Sequence, residues 1–112
     1  MREILQTEEF REFFDSLGSR SQTKLLYALN IVATIKVVST KLVKRLAGTD
    51  FYELRISTDN EYRVIIFSID KENLIEASEI MLLNGFLKKS TKDYEREIKI
   101  AKDILRRYET DD

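Results

Sequence analysis

The fold of this chain is decided by residues 51–69, which read FYELRISTDNEYRVIIFSI. Apolar and polar side chains alternate on both sides of segment 58–60, whose Thr, Asp and Asn are of the kind that forms turns. This pattern predicts two antiparallel strands, 51–57 and 62–69, joined by a hairpin loop. The rest of the chain is best read outward from this hairpin.

The register of the hairpin decides which side chains share a face. A three-residue loop places Ser57 opposite Glu61 and Arg55 opposite Arg63. One face of the hairpin is then apolar and suits a core; it holds Tyr52, Leu54, Ile56, Tyr62, Val64 and Ile66. A two-residue loop would instead place the two arginines on opposite faces.

In the first register, the second face carries Arg55 directly opposite Arg63, and like charges that face each other across a ladder repel. Such a pair becomes useful where it receives a phosphate, so both arginines are candidate site residues. The alternative is that Glu53 and Glu61 simply pair with them. Both interpretations stay open from the sequence alone.

The elements outside the hairpin follow from apolar periodicity and capping residues. They are a strand at 2–6, a helix capped by Thr7 and closed by Gly18, a second helix opened by a Ser19–Gln22 capping box, a basic connection over 39–50, a strand over 74–86 with a bulge near 76–79, and a helix over 94–108 capped by Asp93. This order, β-α-α-β-β-β-α, predicts the α+β class with a small antiparallel sheet, in one domain covering 1–112.

The composition excludes several kinds of chemistry. The 112 residues include no Cys and no His, so thiolate nucleophiles, imidazole bases and metal sites built from these ligands are excluded. Any catalysis must use carboxylates, Lys, Arg, Tyr or backbone groups, and no cofactor or metal is predicted. With no apolar run of membrane-spanning length and no signal peptide at its start, the chain is expected to be cytoplasmic.

The charges are segregated along the chain although the net charge is only −1. Residues 16–49 carry six bases and no acid, residues 50–85 carry eight acids against three bases, and residues 86–107 carry eight bases against four acids. Segregation of this kind is typical of surfaces that contact polyanions. A second basic cluster follows the predicted strand over 74–86, and its alternative interpretation is an ordinary solvated surface; it holds Lys88, Lys89, Lys92, Arg96 and Lys99.

Four short motifs in the second half resemble the RelE/HigB toxin family, and more narrowly its phage-derived HigB-like branch. They are YELR at 52–55, YRVIIF at 62–67, LLNGFLKK at 82–89, and REI at 96–98 followed by Ala101. The resemblance implies a RelE-like fold, in which an N-terminal helical hairpin and a C-terminal helix pack on a compact sheet. It also implies the toxin of a type II toxin–antitoxin pair, which cleaves mRNA in the ribosomal A site without a metal, and a small helix-turn-helix antitoxin of the HigA type.

The resemblance also points to site residues. Arg55, Arg63, Lys88 and Lys89 are the candidate catalytic residues, with the arginines stabilising the phosphorane charge and the lysines clamping phosphate or moving a proton. The candidate RNA-binding residues are Lys41, Lys44, Arg45, Phe86, Lys92, Tyr94 and Arg96. Two positions depart from the family pattern: the family histidine is Asn84, and the helix-opening proline is Tyr94, which is expected to stack on a base, donate a proton or pack at the helix start.

Two other functions remain compatible with the sequence. One is a ParE-like inhibitor of DNA gyrase, because a fold does not fix its function. The other is a catalytically inactive toxin homologue that acts as a binding module, because Asn84 cannot serve as a general base at neutral pH.

Overall fold

The computed structural model describes residues 1–110, so the last two acidic residues of the chain lie outside it. Five strands form one sheet, with helices on both of its faces. In chain order the elements are β1 (Glu3–Gln6), α1 (Glu8–Ser16), α2 (Ser19–Thr34), β2 (Val43–Arg45), β3 (Phe51–Ser57), β4 (Glu61–Ser68), β5 (Glu79–Leu87) and α3 (Thr91–Thr110). The predicted α+β class is confirmed.

The sheet has the strand order β1-β5-β4-β3-β2. Three of its neighbouring pairs are antiparallel, but β1 runs parallel to β5, so the sheet is mixed rather than wholly antiparallel as predicted. Strands β1 and β5 are far apart in the sequence, and helices and strands lie between them. Because no hairpin joins them, they can pair in parallel.

Each face of the sheet has its own core. The α1–α2 face packs Leu54, Val64 and Ile66 of the hairpin against helix residues such as Phe10 and Leu25. On the other face, α3 covers a second cluster that holds Phe51, Ile65, Leu83, Ala101 and Ile104. The central strand β4 is therefore buried on both faces.

The hairpin register is the one that the three-residue loop predicts. Ser57 lies opposite Glu61, and Arg55 lies opposite Arg63. The apolar face packs into the α1–α2 core, with Tyr52 and Tyr62 at its margin. The two arginines consequently share the face that α3 partly covers.

A bulge in β5 lies later in the chain than predicted. Val64 pairs with Gly85 and Ile66 pairs with Leu82. Between these two pairs β5 advances by three residues while β4 advances by two, so β5 contains one extra residue. Residues 74–78 form turns before β5 begins at Glu79 and contain no strand. The extra residue in β5 lets both Leu83 and its successor, Asn84, face α3 instead of alternating.

The helix ends match the predicted capping only in part. Thr7 is the N-cap of α1, and its hydroxyl accepts a hydrogen bond from the amide of Phe10, as predicted. The predicted capping box of α2 is wrong, because Gly18 is the N-cap and the Gln22 amide donates instead to the Phe14 carbonyl. Asp93 is not the cap of α3 either, because that helix begins at Thr91.

Strand β2 lies inside the segment 39–50 that was predicted as a connection. It pairs with β3 so that Val43 lies opposite Leu54 and Lys44 lies opposite Glu53. Its three residues include only one buried apolar side chain, which is too short a pattern to indicate a strand.

The N-terminal residues are held by a buried arginine. The guanidinium of Arg2 donates to the carbonyls of Val32 and Ile35 at the end of α2, and to the carbonyl of Leu74 in the loop before β5. It also contacts the Lys36 carbonyl. These carbonyls include ones that a helix end leaves without partners, so Arg2 acts as a cap supplied from a distant part of the sequence.

Asp70 fastens the loop before β5 and gives the fold a predicted acid sensitivity. Its carboxylate accepts hydrogen bonds from the hydroxyl and amide of Ser78 and from the amide of Glu79, and these bonds lower its pKa to about 2. Because the folded pKa is depressed, the stabilisation is complete above the ordinary value of 3.8 and is lost as the pH falls towards 2.

We therefore expect Asp70→Asn to lower the stability at pH 7 and to flatten its decline between about pH 4 and pH 2. Urea unfolding across this range measures both effects. The matched variant Asp15→Asn, on the exposed side of α1, should keep the wild-type profile. Parallel profiles for Asp70→Asn and the wild type would contradict this account.

Candidate functional site

The face of the hairpin that α3 partly covers carries two arginines around one buried carboxylate. Arg55 Nε donates to Glu53 Oε1 at 2.8 Å, and Arg63 Nε lies 4.0 Å from Glu53 Oε2. Glu53 and Arg55 meet because alternate residues of a strand point to the same side. The carboxylate offsets the repulsion between the two facing cations, so β3 and β4 tolerate this pairing.

Arg63 is a fixed and almost inaccessible cation. Only 6% of its side chain is exposed, and its Nε donates to the Tyr94 hydroxyl at 3.0 Å. Its NH1 donates to the Tyr62 carbonyl at 2.9 Å and lies 3.5 Å from a carboxylate oxygen of Glu61. These partners leave the guanidinium in one orientation.

Arg55 is the accessible member of the pair. Its side chain is 36% exposed, and within residues 1–110 neither of its terminal nitrogens has a hydrogen-bond partner. A guanidinium fork with unused donors suits two oxygens of a phosphate or carboxylate. Both interpretations of the sequence therefore apply in part: Glu53 and Glu61 do pair with the arginines, and Arg55 still keeps donors for an anion.

Tyr94 closes the site from the first turns of α3. The edge of the Phe86 ring meets its ring at a centroid distance of 5.5 Å, and Lys88 Nζ lies 5.9 Å from the ring centre. Burial, followed by the nearby Glu53 carboxylate, raises the pKa of Tyr94, while Arg63 opposes that rise. The hydroxyl thus stays protonated at neutral pH and holds Arg63 in place.

The cluster formed by Glu53, Arg55, Arg63, Lys88 and Tyr94, called here the arginine site, can bind an anion next to an ammonium group. The sequence of this chain matches a family model, described as "Phage derived protein Gp49-like (DUF891)", over residues 12–106. This match spans most of the 112 residues. The chain belongs to the Gp49-like family. No match exists among curated protein sequences.

Solved structures show that the fold of this Gp49-like chain is the fold of the RelE toxin. A chain of the intact Escherichia coli RelBE toxin–antitoxin complex is 18% identical, with a TM-score of 0.62, and the match covers 80% of this chain and 100% of that one. The isolated E. coli RelE toxin is also 18% identical, with a TM-score of 0.62, and covers 88% of this chain and 97% of its own. The predicted resemblance to RelE/HigB-type toxins is confirmed at the level of family and fold.

The predicted lysines of the Gp49-like chain lie around the start of α3. Lys88 contacts Tyr94 and belongs to the arginine site. Lys89 and Lys92 are exposed, and within residues 1–110 their ammonium groups have no partner. They remain candidates for phosphate contacts, whereas Arg96 is already paired with Asp93 at 2.9 Å.

The predicted basic residues of segment 39–50 are split between two faces. Lys44 lies opposite Glu53 and therefore on the face of the arginine site. Arg45 pairs with Tyr52 and lies on the other face, with its guanidinium 5.8 Å from the centre of the Tyr52 ring, so it is separated from Arg55 and its predicted contact with RNA stays a prediction. Lys41 lies near Arg55, on the wall of a groove described below.

Two residues that were singled out from the sequence are buried. Phe86 is only 7% exposed and packs against the ring of Tyr94. The prediction that Phe86 contacts RNA directly is therefore corrected: it supports the Tyr94 ring from below the surface. Asn84, at the position of the family histidine, donates from its amide nitrogen to the carbonyl and the carboxylate of Glu97 on α3. The bulge in β5 aims Asn84 at α3.

Two kinds of feature are absent from the described part of the chain. Residues 1–110 contain no cluster of acidic side chains that could hold a metal ion. No helix among them is long and apolar enough to cross a bilayer.

Proposed function

We propose that this Gp49-like protein is the toxin of a type II toxin–antitoxin pair and acts as a ribosome-dependent mRNA endonuclease. The observation that carries the proposal is the arginine site, where Arg55 offers unused donors in front of a buried, fixed Arg63. The family and the RelE fold support a toxin, and the site supports phosphate chemistry.

The proposed reaction uses the RNA as its own nucleophile. The 2′-hydroxyl oxygen attacks the adjacent phosphorus, the bond to the 5′-oxygen of the next nucleotide breaks, and a 2′,3′-cyclic phosphate forms. Arg55 binds the non-bridging oxygens, where negative charge grows in the transition state, and Arg63 adds a second positive charge behind it. We propose that the Lys88 ammonium, which lies beside the Tyr94 ring, supplies the proton that the leaving 5′-oxygen takes up.

Among residues 1–110, the arginine site offers no acceptor for the proton of the 2′-hydroxyl. Glu53 is buried beneath the arginines, and the bonds that Glu61 accepts from Ser57 and Arg63 lower its pKa. Asn84 replaces the histidine of the family pattern. We propose that ribosomal RNA or bound water takes this proton and positions the hydroxyl, which explains why the reaction needs the ribosome.

The proposal includes partners and a location. A helix-turn-helix antitoxin of the HigA type would neutralise the toxin, and the chain would act in the cytoplasm on translating ribosomes. The exposed cations Lys41, Lys44, Lys89 and Lys92 would bind phosphates of mRNA or ribosomal RNA.

A purified translation system tests this function. End-labelled mRNA is mapped for cuts with ribosomes and without them, and a gyrase supercoiling assay runs in parallel. We expect cuts within codons only when ribosomes are present. Inhibition of supercoiling without RNA cuts would support the ParE-like alternative, and no effect in either assay would support an inactive binding module.

Glu53 is expected to position the arginines for this reaction. The neutral amide of Glu53→Gln cannot offset two cations, so Arg55 moves away from its place beside Arg63. We expect cleavage to slow roughly 10- to 100-fold, as misplaced groups typically cause, with little change in mRNA affinity. Single-turnover cleavage measures this, and the exposed Glu12→Gln on α1 should match the wild type; equal rates for all three proteins would exclude the role.

A further inference from the structure

A groove of about 480 Å³ lies beside the arginine site, where β3 extends past the end of β2. Strand β2 pairs with residues 52–54 of β3, and the Arg55 amide still donates to the Leu42 carbonyl, so β3 has no neighbouring strand on this edge only from Ile56 to Ser57. Helix α2 forms the opposite wall of this groove. The α2 groove, as we call it, is lined by Lys24, Tyr27, Lys41, Arg55 and Glu61, among others.

Tyr27 is the aromatic side chain of this groove and is 69% exposed. Ala28 and Ile31, which are near it on α2, line the same groove, so apolar as well as basic side chains surround the ligand space. An exposed tyrosine offers a flat, rigid surface at a low cost in side-chain entropy. Single exposed aromatics are common, and it is the charge around Tyr27 that makes this one informative.

The charges that surround Tyr27 are mostly positive. Helix α2 contains no acidic residue, and residues 16–49 as a whole contain none. Lys24 is held at the groove by a hydrogen bond to the Ser57 carbonyl, and Lys41 lies nearby on the same wall. The carboxylate of Glu61, the acid in the lining, is already bonded to the Ser57 hydroxyl and paired with Arg63.

We propose that the α2 groove binds one nucleotide of single-stranded RNA, whose base stacks on Tyr27 while Lys24 and Lys41 bind the flanking phosphates. An aromatic face beside a line of cations is how proteins bind unpaired nucleic acid, because every base has a π face and every linkage has a charge. A base in a duplex could not reach the ring, so the ligand is unpaired.

The subsite rests on the proposed function in one respect: the phosphate next to this nucleotide is the one that Arg55 holds. The nucleotide would thus neighbour the cleaved linkage, and Tyr27 would help to decide which bases are accepted there. The groove is contiguous with the arginine site because Arg55 and Arg63 line both.

Binding of an RNA that cannot be cut tests the subsite separately from cleavage. The probe is a 2′-O-methyl hexanucleotide in which 2-aminopurine replaces each base in turn, and fluorescence reports both affinity and stacking. We expect Tyr27→Ala to weaken binding about 5- to 150-fold, which is the usual effect of losing one base–aromatic stack. We also expect it to abolish the quenching of 2-aminopurine at one position.

The controls separate stacking from folding and from other partners. Tyr27→Phe should keep both signals, and Tyr108→Ala, at an exposed tyrosine on α3 away from this groove, should leave them unchanged. Lys24→Ala with Lys41→Ala should weaken binding and reduce its salt dependence. Binding without any mRNA cleavage would reject the proposed function and keep the subsite.

Other outcomes would overturn the subsite. Unchanged affinity and quenching for a folded Tyr27→Ala would do so even if the wild type cuts mRNA. Loss of antitoxin binding by the same variant, with RNA binding intact, would also overturn it and would assign Tyr27 to a protein interface.

Discussion

Arg55→Ala is expected to slow mRNA cleavage roughly 10²- to 10³-fold, the effect of removing one donor to a transition-state oxyanion. Arg55 is the accessible cation of the arginine site and has terminal donors without a partner among residues 1–110. Its removal leaves Glu53 beside Arg63, so the fold should survive. Single-turnover cleavage of ribosome-bound mRNA measures the rate, and thermal unfolding checks the fold.

Two further variants make this result specific. Arg55→Lys keeps the charge but not the planar fork, and we expect an intermediate rate. Arg11→Ala, an exposed arginine on α1, should cut at the wild-type rate. If Arg55→Ala cleaves mRNA at the wild-type rate, Arg55 takes no part in the reaction. The proposed mechanism would then lose its main support.

Arg63→Ala would be a poorer experiment than Arg55→Ala. Its guanidinium is buried among Glu53, Glu61 and Tyr94, so truncation leaves a buried carboxylate without its partner. Breaking such a pair commonly costs about 3–5 kcal/mol, which confuses loss of activity with loss of fold. The conservative Arg63→Lys tests the charge with less disturbance.

Arg2→Ala is expected to lower the free energy of unfolding by about 3 kcal/mol, because each buried acceptor left without its donor costs about 1–3 kcal/mol, and this is a large part of the stability of a domain this size. Arg2 is 7% exposed and bonds to backbone carbonyls from the end of α2 and from the loop at Leu74. Truncation leaves these carbonyls buried without their donor. Urea unfolding gives the change in free energy.

The size of the effect depends on geometry as well as charge. Arg2→Lys keeps one cation but cannot reach carbonyls on both sides, so it should recover only part of the stability. Arg20→Ala, at the exposed start of α2, should change stability by no more than about 0.5 kcal/mol. If Arg2→Ala also lowers the free energy of unfolding by no more than about 0.5 kcal/mol, water replaces the hydrogen bonds that Arg2 donates to the carbonyls.

The central hairpin was predictable because local sequence fixes it. Alternation gives the faces of β3 and β4, and the three turn residues between them set the register that brings Arg55 opposite Arg63. The Thr7 cap is local in the same way. Features of this kind need only neighbours along the chain.

Features that depend on distant contacts were not predictable from pattern. Strand β2 forms because the edge of β3 is available to pair with it. Strand β1 similarly needs β5, which lies more than 70 residues later in the chain. The bulge in β5 is a response to packing on β4 and α3, and the buried role of Arg2 requires α2 and the loop at Leu74 to be in place.

The candidate site shows the same division. The hairpin register predicts the arginine pair, but the contact of Tyr94 with Arg63, the buried Phe86 and the inward Asn84 depend on how α3 packs. Arg45 lies on the opposite face because β2 adds an alternation that the sequence does not reveal. The exposure of Tyr27 beside cations of another segment is visible only in three dimensions.

The pairing of β1 with β5 has a consequence for synthesis of the protein. The first strand to leave the ribosome cannot take its place until nearly the whole chain has followed, because its partner ends at Leu87 and Tyr94 comes later still. Non-local pairing of this kind delays the completion of folding. Under the proposed function, a nascent copy therefore has no complete arginine site until the residues as far as Tyr94 have been made and have folded.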